Sequence, residues 1–122
     1  MSTKLAVLPE PDVDETGPYC HLGFAEAKPG YENTVEKLIL DLVEPLRAEP
    51  GAIEFHVHRD RTEPRLFVIY EVFRSKKDLE EHITQPYTQE FIQKIQSCVT
   101  GPLRQQFLRM CSELPATRVG KG

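Results

Sequence analysis

The chain has 122 residues, of which 39% are hydrophobic and 28% charged, enough for one buried core and too few for two. Its net charge of −4, with Lys and Arg scattered along the chain, excludes the basic footprint that nucleic acid or anionic lipid requires, so a small molecule or a protein is the expected partner. The longest apolar stretch, Lys37 to Val43, is short and interrupted by charge, and no basic-then-apolar leader opens the chain; a cytoplasmic protein with no membrane span is expected. Cys20, Cys98 and Cys111 are odd in number and lack disulfide-framework or zinc-ligand spacing, so they read as reduced thiols.

Residues 1–17 hold two prolines, several acids and little periodic hydrophobicity, the composition of a flexible tail. One domain is expected over residues 18–114, and residues 115–122 read as a second loose tail. Tyr19 to Ala27 reads as a first strand, closed by the turn signal Lys28-Pro29-Gly30. Val35, Leu38, Ile39, Leu42, Val43 and Leu46 then follow the three-four spacing of an amphipathic helix. Pro45 sits inside that pattern, where its ring crowds the carbonyl of Asp41, so the helix should kink or restart there before Glu49-Pro50-Gly51 stops it.

Ala52 to Asp60 and Arg65 to Phe73 read as two strands of a hairpin. Ser75, with Asp78 three residues on, caps a helix carrying Leu79 and Ile83 on its inner face. Pro86 opens another, in which Tyr87, Phe91, Ile95 and Val99 recur every four residues until Gly101-Pro102. Leu103 to Cys111 reads as a last strand. The order strand, helix, strand, strand, helix, strand is that of an α+β, ferredoxin-like βαββαβ antiparallel sheet.

Alternation in the first hairpin strand puts Ile53, Phe55 and Val57 on one face and Glu54, His56 and His58 on the other. A four-residue link pairs His58 with Phe67, His56 with Ile69 and Glu54 with Glu71; a five-residue link swaps the sets. In the four-residue register, one sheet face mixes aromatic rings with His56, His58, Glu54 and Glu71. Such a face is too polar for a core and too aromatic for open water. It can be closed by packing against its twin, which makes a homodimer the expected assembly.

The ordered set Glu49-Pro50-Gly51, Phe55-His56-Val57-His58-Arg59-Asp60, Phe67-Val68-Ile69-Tyr70-Glu71, Leu79-Glu80-Glu81-His82 and Pro86-Tyr87 resembles the antibiotic biosynthesis monooxygenase family. Thr100-Gly101-Pro102 is similar to the branch containing the autoinducer-2 degradation protein. The resemblance implies a dimeric α+β barrel and, for many members, oxygenation of phenols or quinols by O₂ without flavin, haem or metal. The family's haem degraders carry a histidine where this chain has Ile92 and an asparagine near Gly23, which disfavours haem degradation. The tryptophan common after the family's glutamate is Phe73 here.

On this reading His82 is the candidate base, since histidine titrates near neutral pH and this one borders the helix's apolar stripe; a structural histidine bonded to a carbonyl is the alternative. Glu71 either supports His82 or joins an ion pair across the dimer interface. His56 and His58 are candidate pocket residues, and with Glu54 they form a two-apart arrangement that falls short of a metal site, for which no further ligand cluster is evident. Phe67, Phe73 and Tyr87 shape an aromatic pocket or simply fill the core. Three functions follow: a cofactor-independent monooxygenase, an isomerase of a small phosphorylated signal, and a ligand-binding dimer without catalysis. Arginines such as Arg104 or Arg109 lining the pocket would favour the phosphorylated ligand, and a dry aromatic pocket the oxygenase.

Overall fold

The computed structural model describes residues 8–115. They form β1 (Tyr19–Glu26), α1 (Glu32–Leu40), α2 (Val43–Arg47), β2 (Ala52–Arg59), β3 (Leu66–Phe73), α3 (Lys76–Ile83), α4 (Pro86–Ile95) and β4 (Arg104–Arg109). The strands make one antiparallel sheet in the order β2-β3-β1-β4, with β1 and β3 in the middle. This is the ferredoxin-like α+β arrangement expected from the element order.

The break between α1 and α2 falls at Asp41 and Leu42, four and three residues before Pro45. A proline ring clashes with the carbonyl four residues back and offers no N–H to it. The chain responds by tightening: the Leu42 N–H bonds to the Ile39 carbonyl at 3.0 Å, a three-residue turn, before the helix resumes. The Ser75 hydroxyl caps α3 by accepting the Asp78 N–H at 3.2 Å, and Pro86 occupies the first turn of α4, as both residue types prefer.

The hairpin register differs from the four-residue reading. Asp60 pairs with Leu66 through an N–H to carbonyl bond of 2.9 Å, which leaves five residues in the link. The Asp60 carboxylate organises that link, accepting the Thr62 N–H, the Thr62 hydroxyl and the Glu63 N–H at 2.8–3.0 Å. These three donors hold its carboxyl below the usual range. Phe55 therefore opposes Glu71, Val57 opposes Ile69 and Arg59 opposes Phe67, while His56 opposes Tyr70 and His58 opposes Val68. A bulge at Ile53 restores the pairing of Ala52 with Phe73. Glu71 thus turns toward the helices, and His56 and His58 turn away from them.

The helices cover one sheet face through two apolar clusters. One joins Leu42, Leu46, Phe55, Phe73 and Leu79; the other joins Val35, Ile39, Phe67, Ile95 and Val99. Phe55, Phe67 and Phe73 are fully buried, each stabilising the fold by about 1.5–3 kcal/mol through burial alone. The first described residues, expected as part of a tail, touch the domain at two points. Residues 8–17 form no helix or strand, yet Leu8 is buried in the first cluster, and the Pro9 carbonyl accepts the Tyr19 hydroxyl at 2.6 Å. The remaining tail residues lie outside the described range. No helix among the described residues is long and apolar enough to cross a membrane.

Candidate active site

In β1 the residues facing the helices are Tyr19, His21, Gly23 and Ala25, which share rows with Phe73, Glu71, Ile69 and Phe67 of β3. Gly23, in the middle of this set and without a side chain, leaves a hollow above the sheet. A Cβ on Gly23 would lie 2.9 Å from Cγ1 of Ile69 and 3.4 Å from Cε1 of His21, so this glycine keeps the floor open. The resulting cavity, about 70 Å³, lies between the two apolar clusters. Its walls are Ile39, Leu42, Leu79, Phe91 and Ile92 from the helical layer and Phe67, Ile69 and Phe107 from the sheet. Five polar residues line it, Arg104 and Gln105 from β4 and three that are buried: His21, Glu71 and His82.

These three belong to one buried chain of polar groups. His21, Glu71 and His82 are only 6%, 4% and 4% exposed, so each must find partners or forfeit the free energy of hydration. Glu71 Oε1 accepts from His21 Nδ1 at 3.1 Å. His21 Nε2 lies 3.0 Å from the Gln105 side-chain amide, and the imidazole stacks on Phe107 with ring centroids 5.0 Å apart. Two proton arrangements satisfy this end of the chain: an imidazolium donating to both neighbours, or a neutral ring donating to Glu71 and accepting from the turned amide. In both, Glu71 is the acceptor.

At the other end, His82 Nδ1 lies 2.8 Å from Glu49 Oε2. Tyr87 donates its hydroxyl to the same carboxylate oxygen, and the Thr88 hydroxyl stands 3.5 Å from His82 Nδ1. Burial, reinforced by the adjoining Glu49 carboxylate, pushes the Tyr87 phenol well above its ordinary value. Tyr87 is therefore a permanent donor, and Glu49 an acceptor clamped from two sides. A carboxylate facing Nδ1 fixes the proton there and leaves the lone pair of a neutral ring on Nε2.

His82 Nε2 and Glu71 Oε2 face each other across 4.0 Å, too far for a hydrogen bond. Among the described residues no buried side-chain polar atom lacks a partner, so these two atoms are open to the cavity. The arrangement is an imidazole oriented by a carboxylate, with its basic nitrogen presented to an apolar chamber. That is the geometry of a general base.

Residues 18–94 match the family model for antibiotic biosynthesis monooxygenase. The chain belongs to this family. An uncharacterized protein of Synechocystis sp. is 30% identical over 105 residues, covering 82% of this chain and 71% of its own length. Among solved structures, a Pseudomonas aeruginosa protein is 25% identical with a TM-score of 0.74, the match covering 79% of this chain and 96% of that one. A Mycobacterium tuberculosis protein at 20% identity has a TM-score of 0.77, with 81% and 100% covered, and shares the fold.

In this antibiotic biosynthesis monooxygenase family member the expected site residues separate into two groups. His82, Glu71 and Phe67 meet at the cavity, and Tyr87 stands behind His82 with ring centroids 5.9 Å apart. Phe73 belongs to the first apolar cluster and packs against the His82 ring at 5.4 Å from outside the cavity. His56 and His58 are corrected: the five-residue link puts both on the opposite sheet face, exposed, with His56 bonded to Glu54 at 2.9 Å and His58 to the Val68 carbonyl at 3.2 Å. Among the described residues no group of three His, Cys, Asp or Glu side chains is placed to hold a metal ion.

The sequence reading missed His21 and Glu49. His21 carried a signal, being the one residue of a type that titrates near neutral pH in an inward set otherwise made of Tyr19, Gly23 and Ala25. Glu49 carried none beyond its place in the Glu49-Pro50-Gly51 stop. Its role depends on the chain reversal that carries it back to α3, the helix bearing His82.

Proposed function

We propose that this chain is a cofactor-independent monooxygenase that oxidises a small phenolic or quinol-type compound with O₂. The observation that carries this reading is His82, whose Nδ1 is held by Glu49 while Nε2 opens into an apolar chamber lined by Phe67, Phe91 and Phe107. A phenol bound with its hydroxyl at Nε2 passes its proton to His82. The resulting phenolate is held among apolar walls that withhold water, which raises its tendency to give an electron to O₂. Recombination of the substrate radical with superoxide forms a carbon–oxygen bond. His82 then returns the proton to the distal peroxide oxygen; the O–O bond breaks as the hydrogen of the oxygenated ring carbon is lost as a proton, and that proton and the departing hydroxide form water. For a dihydroxybenzene, one oxygen atom stays on the ring and the product is a hydroxyquinone; the substrate supplies both reducing electrons, so no external reductant enters the balance.

The rival isomerase of a phosphorylated signal receives less support. Arg109 is paired with Asp12 at 2.6 Å, and the Arg104 guanidinium lies 3.8 Å above the Phe24 ring. Arg104 does line the cavity, which favours that reading, but its guanidinium is engaged by the Phe24 ring, and the Glu71 carboxylate beside the cavity repels phosphate. His56 and His58, which that reading would employ, are on the far side of the sheet.

The working unit in this proposal is a homodimer. On the face away from the helices the sheet carries half-buried Leu22, Phe24, Val68 and Tyr70 and exposed Leu108. A second copy laid sheet to sheet covers these residues, with His56 and His58 at the contact.

The oxygenase reading is tested by oxygen uptake with a panel of phenols and quinols, under chelator and without added flavin. Uptake that His82→Ala abolishes supports it. Absence of uptake across the panel, or uptake that disappears with metal removal, overturns it.

A further inference from the structure

The gap between His82 Nε2 and Glu71 Oε2 carries information about the ligand. Both atoms are acceptors when His82 is neutral, since Nδ1 holds the ring proton toward Glu49 and Glu71 Oε1 is already occupied by the His21 N–H. They stand 4.0 Å apart, with no donor between them. One oxygen placed about 2.8 Å from each would subtend roughly 90° and would need two hydrogens to satisfy both. Water has two. A lone phenolic hydroxyl has one, and leaves a buried acceptor unpaired, the costly error in recognition.

Resting on the oxygenase reading, we infer that the site selects an aromatic ring with two hydroxyls on one edge, a catechol- or resorcinol-type substrate. One hydroxyl donates to His82 Nε2 and the other to Glu71 Oε2. The pair displaces a bridging water without leaving either acceptor bare. Resorcinol can also span two acceptors 4.0 Å apart, whereas hydroquinone sets its hydroxyls on opposite ends of the ring and leaves one acceptor bare. The cavity of about 70 Å³ is smaller than the roughly 150 Å³ that holds benzene in an apolar site, so a single ring enters by displacing its walls, of which the Phe67, Phe91 and Phe107 side chains offer surfaces for a flat ligand. The hydroxyl at His82 is the one ionised, because that acceptor is the basic nitrogen. The hydroxyl at Glu71 keeps its proton, since His21 already stabilises the carboxylate.

The experiment is anaerobic titration of the full chain, by calorimetry and ultraviolet absorption, with catechol, phenol, resorcinol, hydroquinone and benzylamine at neutral pH under chelator. Catechol and resorcinol are expected to bind at least tenfold tighter than phenol, hydroquinone and benzylamine, and catechol to show the catecholate absorption on binding, a signature that His82→Gln removes. In Glu71→Gln, His21 keeps its acceptor, and the amide NH₂ faces the cavity. One hydroxyl can then donate to His82 while accepting from Gln, so phenol should gain on catechol and the preference should shrink tenfold or invert.

Equal affinity of the wild-type chain for catechol and phenol overturns the inference, as does tighter binding of benzylamine, whose ammonium also donates twice. The wild-type ligand series decides this even where Glu71→Gln fails to fold. Oxygen uptake separates the two levels. Selective catechol binding with no uptake from any substrate leaves this assignment standing and removes the oxygenase reading. Uptake from quinols without any catechol preference does the reverse.

Discussion

Glu49 Oε2 stands 2.8 Å from His82 Nδ1, at the closed end of the ring whose other nitrogen faces the cavity. The contact sets which nitrogen is basic, so the two residues should fail differently. His82→Ala removes the base and should lower kcat by about 10²–10⁴-fold. Glu49→Gln keeps the shape, yet its amide can hold either ring tautomer, and a fall of similar size, up to about 10⁴-fold, is expected in kcat with KM little changed. Glu49→Asp should restore part of it. Steady-state oxygen uptake on the three variants checks this; a Glu49→Gln enzyme with unaltered kcat would take Glu49 out of the mechanism.

Tyr87 gives an alkaline signature. Its folded pKa is raised, so folding favours the neutral phenol. That contribution is complete below the ordinary tyrosine value near 10 and is lost as pH climbs from there through the raised folded value. Cys20, Tyr19 and Tyr70 shift upward too, chiefly through burial, which starts the same decline near pH 9. Urea midpoints measured between pH 7 and 11 should fall above this point, and less steeply in Tyr87→Phe. At neutral pH that variant should lose about 1 kcal/mol with the hydrogen bond to Glu49. Parallel pH profiles for the two proteins would contradict the assignment.

What the sequence made legible was local, and what it hid was a register. The Pro45 break, the Ser75 cap and the Pro86 start each depend on one residue and its near neighbours, and each appears where composition placed it. The hairpin depends on whether four or five residues lie in the link, and the Asp60 carboxylate decides for five by binding two backbone N–H groups beyond it. Since side chains alternate with a period of two, that one residue moves Glu71 to the helix side and leaves His56 and His58 on the other. His82 needed no register, because its place beside the apolar stripe of α3 is a helical property. The pairing of His21 with Glu71 joins residues 50 apart in sequence, and only sheet topology brings them together.

His21 should prove to be a stability residue as well as part of the site. Removing it leaves the Glu71 carboxylate 4% exposed and without its donor. His21→Ala should therefore cost about 3 kcal/mol or more, the usual penalty for orphaning one member of a buried pair. Glu71→Leu in the same background should recover much of this, because the uncompensated group is gone. Thermal denaturation of the single and double variants measures the coupling, and strictly additive effects would show that the contact carries no weight.

The sheet face opposite the cavity tests the dimer. Val68 lies in the centre of that face, between Phe24 of β1 and His58 of β2. A carboxylate there should keep a sheet from packing on its twin, since the charge would be stripped of water without a partner. Val68→Asp is expected to run as a monomer in sedimentation equilibrium while the wild-type chain runs as a dimer. A monomeric wild-type chain would refute the proposed assembly.

Gly23 separates cavity volume from stability. It lies in extended β1 among buried residues, where alanine is conformationally acceptable and lowers the entropy of the unfolded chain by about 0.4–1 kcal/mol. Against that gain, the added methyl would meet Ile69 Cγ1 at 2.9 Å and must displace it toward the space a substrate ring would use. The two effects oppose each other in stability and act together on binding. Gly23→Ala should therefore melt within a few degrees of the parent while ring-sized ligands bind several-fold more weakly. Gly23→Val, with two further carbons over the floor, should abolish their binding. If Gly23→Val binds a single-ring ligand as the parent does, the substrate does not sit above this glycine, and the cavity between Ile69 and His21 is not the reaction chamber.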